Sequence, residues 1–106
     1  MPKNIGCAFP NGIGLENTVV VKVEADVVAG NPVELVSDEN NVKTVKLLTD
    51  GALLYGVMTD DTKVDQTGDC FNVGLINVDA LILPDGIKPL DLTDAANKKL
   101  ILKSEV

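Results

Sequence analysis

The stretch Gly30 to Asp61, GNPVELVSDENNVKTVKLLTDGALLYGVMTDD, sets three short apolar runs between turn residues and carries no catalytic constellation. Gly30-Asn31-Pro32 closes one segment and forces the next into extended geometry. Asp38-Glu39-Asn40-Asn41 is a polar hairpin connection, and Asp50-Gly51 is a second turn ahead of a strand. Val33–Val36 reads as a strand. Val42–Leu48 alternates as a strand with one wet and one packed face, and Leu53–Met58 reads as buried, with Gly56 marking a bulge or a close backbone approach.

Outward from this stretch, Thr18–Val23 is a further strand, carried by Val19, Val20, Val21 and Val23. Thr59–Asp69 is a polar, acidic loop. Phe71–Leu83 is a long extended run that Gly74 and Asn77-Val78-Asp79 bend or split, and Pro84-Asp85-Gly86 stops it. Thr93 offers an N-cap for a short helical turn over 94–99, with Asp94 near its positive end and Lys98-Lys99 near its negative end. Leu100-Ile101-Leu102 is the last strand. Strands at this spacing predict a mainly β fold: a small antiparallel β-sandwich or barrel with one or two short helical turns and an extended N-terminal arm.

Residues 1–16 form that arm, and 17–106 a single β-rich domain. The arm is rich in Gly, Asn and Pro, yet Ile5, Cys7, Phe9, Ile13 and Leu15 place apolar side chains at alternate positions apart from the step across Pro10-Asn11. Two readings stand. The arm is a frayed or loosely docked terminus, or it is an extended segment that pairs with a sheet edge on a partner, with those five residues as its sticky face.

A chain of 106 residues buries a modest core, and only three aromatic side chains, Phe9, Tyr55 and Phe71, contribute to it, so aliphatic and β-branched packing must dominate. The net charge is −7, and all nine basic residues are Lys, scattered except for the Lys98-Lys99 pair. Direct nucleic-acid binding, which needs clustered cations, is not expected. No apolar run nears the roughly 20 residues of a membrane span, and the N-terminus lacks the apolar stretch of a signal peptide, so synthesis in a reducing cytoplasm is expected. Cys7 and Cys70 show no metal or redox spacing and read as reduced thiols.

The chain contains no His, which removes the commonest general base and metal ligand. Neither Cys has a local cation to activate it as a nucleophile. Asp60, Asp61, Asp65 and Asp69 could offer oxygen ligands to a cation, but their spacing is not that of an EF-hand loop, and a solvated acidic loop is the simpler reading. Phosphate-cradling glycine patterns are absent, and turn chemistry accounts for the glycines. No catalytic, metal or cofactor-binding residues are expected, and the chain is read as a non-enzyme. A small β-barrel carrier or accessory module is the alternative class. It would present a modified Lys at an exposed hairpin tip, for which Lys63 is the one available candidate.

The order of elements resembles the lambda-type head decoration proteins of tailed phages and similar capsid cement proteins. Asn31-Pro32-Val33-Glu34-Leu35 is similar to the family's entry into its first domain strand, and Thr49-Asp50-Gly51-Ala52 followed by Gly56-Val57-Met58 is similar to its turn and next strand. The Asp60-Asp61 loop, the run to Pro84 and the segment before the last strand extend the likeness over roughly Gly30 to Lys103. The Thr18–Val28 segment departs from the family pattern. The resemblance implies a homotrimer on the exterior of an expanded head, at local three-fold positions in the virion. Its partner there would be the major capsid protein, reached by the N-terminal arm.

Overall fold

The computed structural model describes residues 8–92 and 95–104, with Leu15 and Leu90 described by backbone alone. Seven strands form: β1 (Thr18–Val23), β2 (Pro32–Glu39), β3 (Val42–Leu47), β4 (Gly56–Met58), β5 (Thr67–Phe71), β6 (Gly74–Asn77) and β7 (Leu100–Lys103). The first five close into a barrel in the order β1-β3-β2-β4-β5, and β6 and β7 make a separate two-stranded sheet.

The expected mainly β fold is found, and of the two expected architectures it is the barrel. Its strand directions refine the expectation. β1 runs parallel to β3, pairing Lys22 with Thr44, while the other neighbours in the ring are antiparallel. β6 and β7 are also parallel, joined by the long 78–99 crossover that a parallel pair requires.

The β2–β3 connection is the hairpin read from Asp38–Asn41. Glu39 pairs with Val42, and Asn40 and Asn41 occupy its two-residue loop with φ of 55° and 64°. Positive φ at both positions defines the type I′ turn, whose twist matches the flanking strands and which Asn tolerates better than most residues. Farther along, the ladder slips between Leu35 and Ser37, leaving Val36 as a bulge that bends β2 around the barrel.

Two clusters of buried side chains lie on opposite faces of the β4–β5 pair. Inside the barrel sit Val21, Val23, Val33, Val45, Met58 and Cys70 with Tyr55. Outside it, Phe9, Leu54, Val57, Phe71, Ile76 and Leu100 form a second core beneath the β6–β7 sheet. The ladder shows the division: Met58 opposes Cys70 facing inward, and Val57 opposes Phe71 facing outward, all four essentially buried. A segment covered on both faces has no reason to alternate, which is why Leu54–Met58 reads as one apolar run; Leu53, expected to be buried with it, is instead 54% exposed.

Gly56 is a close approach and not a bulge. A Cβ there would lie 2.5 Å from Cys70 Sγ and 2.5 Å from the Phe71 carbonyl oxygen, so β4 and β5 touch where only hydrogen fits. Regular pairing of β4 starts only at Gly56, three residues later than expected, and Leu54 instead makes an isolated bridge to Ala95.

Of three further expectations, two are corrected. The acidic loop ends at Gln66, because Thr67, Gly68 and Asp69 belong to β5. The 71–83 run divides at the expected places: β5 ends at Phe71, Gly74 opens β6 with φ of 123°, and Val78–Ala80 forms a 3-10 turn capped by the Asn77 side chain.

The helical turn over 94–99 is not formed across its described part. Thr93 and Asp94 lie outside the described residues, and 95–99 is a bridge and turn in which Asn97 Oδ1 accepts the Lys99 N–H at 3.0 Å. The described helical pieces are 3-10 turns at Leu15–Asn17, Val78–Ala80 and Pro89–Asp91.

Candidate interaction surface

Of the five residues assigned to the arm's sticky face, Ile5 and Cys7 lie outside the described residues, as do the other residues before Ala8. Phe9 is used by the chain itself. It is 3% exposed, and its ring centroid lies 4.6 Å from that of Phe71, so it anchors the outer core. Ile13 is 47% exposed and free to meet a partner, and the backbone of Leu15 opens the first 3-10 turn. Within the residues described, the segment read as an arm is therefore docked from Ala8 to Phe9.

The carboxylates of the acidic loop hold the loop. Asp61 Oδ1 accepts the Ala29 N–H at 2.9 Å, Asp60 Oδ1 accepts the Asp69 N–H at 3.1 Å, and Asp26 Oδ1 accepts the Val64 N–H at 2.8 Å. Each satisfies a backbone donor that the turn leaves unpaired, which is the usual work of Asp in such segments. Lys63, the candidate for a carrier module, is exposed and pairs with Asp26 at 3.6 Å. Among the described residues no three carboxylates or thiols converge as a metal site requires.

Cys70 is a free thiol buried inside the barrel, and burial pushes its pKa up to about 12. Burial, and next the nearby Cys70, also raise the Tyr55 phenol, while the Asn72 side chain offsets part of this by hydrogen bonding to it. A thiol held neutral in an apolar interior is a packing group and a poor nucleophile.

The sign of its pH effect follows. The folded state binds the thiol proton more tightly than the unfolded chain does, so this contribution is complete below the ordinary thiol pKa near 9 and is lost as pH rises toward 12. The expected result is a stability that falls above pH 9 by up to about 1.4 kcal/mol per pH unit from this group, with a shallower fall in Cys70→Ala. Urea unfolding of both proteins at pH 7, 9 and 11 measures it, and parallel curves would contradict it.

The surface that stands out is the outer face of β1 and β3. Val21, Val23 and Val45 point inward, so Lys22 and Thr44, paired across β1 and β3, point outward. Two residues back on each strand, on the same outward face, lie Val20 and Val42, 61% and 46% exposed. Leu35 and Val36, at the bulge of neighbouring β2, are 40% and 44% exposed, but Leu35 pairs with inward-facing Val45 and so does not share the outer face of Val20 and Val42. Asp69 pairs with Val20 and Glu39 with Val42, so carboxylates border the aliphatic pair.

Single exposed aliphatics are ordinary, but a pair on one outward face of adjacent strands, bordered by charge, has the composition of a protein contact. The sequence held a signal for it. Val19-Val20-Val21 breaks the alternation a half-exposed strand should show, and Val20 is the odd residue of that run.

No protein-family model matches this chain, and a search of curated proteins gives no match either. No described helix is long and apolar enough to cross a membrane.

Proposed function

We propose that this protein is a structural decoration subunit that binds the outer surface of a tailed-phage head, in contact with the major capsid protein, and stabilises it as a homotrimer. The observation that carries the reading is the outward aliphatic pair Val20 and Val42, bordered by Asp69 and Glu39, on a chain of net charge −7. The closed ring offers no edge for indiscriminate pairing, so association through the barrel, as distinct from the two-stranded β6–β7 sheet, is left to side-chain surfaces of this kind. Excess negative charge keeps free copies apart in solution, and many copies on one lattice turn weak individual contacts into firm attachment. The order of turns and strands from Gly30 to Lys103, similar to the lambda-type decoration proteins, supports the same assignment.

The test uses the purified chain and heads assembled from the major capsid protein of the same genome. Co-sedimentation with expanded heads is expected, and light scattering of the free protein at high concentration should report a trimer. The double variant V20D/V42D places charge on an outward face, so the barrel should remain folded by circular dichroism. Trimer or head affinity should fall about tenfold or more. A strict monomer whose head binding is the same with or without V20D/V42D would contradict the assigned surface. Failure of the unaltered chain to sediment with heads would contradict the function.

A further inference from the structure

Two Asp-Gly turns of the same construction line one cleft. In Thr49-Asp50-Gly51-Ala52 the Ala52 N–H donates to the Thr49 carbonyl at 3.1 Å, and in Pro84-Asp85-Gly86-Ile87 the Ile87 N–H donates to the Pro84 carbonyl at 3.2 Å. Gly51 and Gly86 have φ of 85° and 87°, whereas neither Asp has positive φ, so both are type II turns with Asp at the second position and Gly at the third. Asp50 and Asp85 line a cleft of about 440 Å³, together with the buried residues Leu48 and Ile87. A smaller hollow of about 120 Å³ adjoins it over Leu48 and Ile87 and extends to Leu53 and Leu92.

The charges at this cleft are unbalanced. Asp50 and Asp85 are exposed and have neither a hydrogen bond nor an ion pair among the described residues. Asp91, beside the smaller hollow, already accepts the Lys88 N–H at 2.9 Å. The ion pairs among the described residues, Lys43–Asp38 and Lys63–Asp26, lie elsewhere, so no described lysine pairs with a carboxylate of the cleft. An aliphatic occupant would leave both exposed carboxylates without partners, and an anionic one would be repelled. A long aliphatic stem ending in a cation meets both demands, with methylenes on Leu48 and Ile87 and the charged head kept at the wet rim between Asp50 and Asp85.

We propose that this cleft is a binding site for a lysine or arginine side chain presented by a partner protein. The assignment rests on the cleft alone and stands apart from the proposed capsid role.

Amide NMR of the ¹⁵N-labelled full chain tests it, titrating three peptides: acetyl-Gly-Ile-Lys-Leu-Gly-amide and its norleucine and glutamate analogues in place of Lys. The Lys peptide should give saturable shifts at Thr49–Ala52 and Asp85–Ile87, with binding at least about tenfold weaker for either analogue. Asp50→Asn and Asp85→Asn, both at exposed turn positions, should each weaken Lys-peptide binding about threefold or more. Equal response to the norleucine peptide would overturn the charge requirement. Unchanged binding in both variants, shifts with calcium chloride but not with peptide, or no saturable shift by about 10 mM would overturn the site.

Discussion

Phe71→Ala is expected to lower the stability of this domain by about 3–5 kcal/mol, a large fraction of the roughly 5–15 kcal/mol that holds a domain of this size together. Phe71 is 2% exposed on the outer face of β5, packs its ring on Phe9 and lies in the core formed with Val57, Ile76 and Leu100. The one ring packed on it, Phe9, is already part of the same core, so any move to fill the vacated space would leave a void of its own. The loss also frees Phe9, the residue that docks the N-terminal segment. Urea unfolding should show a strongly reduced midpoint for Phe71→Ala, while the volume-sparing Phe71→Leu should cost about 1.5 kcal/mol or less. Equal losses for the two would contradict the packing assigned to this ring.

Gly56→Ala, the addition of a single methyl group, is expected to cost about 3 kcal/mol. The new Cβ would meet Cys70 Sγ and the Phe71 carbonyl oxygen at 2.5 Å each, with Asn72 Cβ at 3.2 Å. The sulfur can turn away, but the carbonyl is part of the β4–β5 ladder and cannot. Cys70→Ala in the same chain should therefore rescue Gly56→Ala only in part, measured as the change in urea midpoint of the double variant against the two single ones. Full rescue would show that the thiol alone sets the spacing. Gly51→Ala provides the contrast. Its Cβ would point into open space, so the cost is limited to the positive φ of 85°, about 1–2 kcal/mol.

Both positions show what could be read in the chain before its structure and what could not. Gly56 was legible as a place where backbone comes close, because a glycine inside an apolar run has few other uses. The hairpin at Asn40-Asn41, the strand Thr18–Val23 and the last strand were legible for the same reason, being fixed by local pattern. The closure of the ring was not, since the parallel pairing of β1 with β3 depends on which distant strand buries the same valines.

The helical turn expected over 94–99 rests on Thr93 and the Lys98-Lys99 pair, which resemble a cap and a helix end. Across 95–99 tertiary pairing wins over that local pattern: Ala96 donates its N–H to the Leu54 carbonyl at 2.8 Å, and Asn97 bonds to Asn72. The 3-10 turn Pro89–Asp91 did carry a signal. Pro stands at its first position and Asp91 reaches back to the Lys88 N–H, an arrangement visible as Lys-Pro-Leu-Asp.

The candidate surfaces divide in the same way. The alternating apolar residues of the N-terminal segment were visible, but their destination was not, and the structure assigns Phe9 to the core. The outward aliphatic pair Val20 and Val42 comes from strands far apart in sequence, and only the β1–β3 register sets them on one face. The cleft between the Asp-Gly turns likewise joins two segments more than thirty residues apart. Each turn was legible, and their meeting was not.

The central claim is that this barrel decorates a phage head, and electron cryomicroscopy of expanded heads with and without the purified protein measures it most directly. The account predicts additional density on the outer surface at the local three-fold positions, shaped as three barrels. It also predicts that heads prepared with V20D/V42D show this density weakened or missing. Identical reconstructions with and without the unaltered protein, at protein concentrations well above the number of available positions, would contradict it.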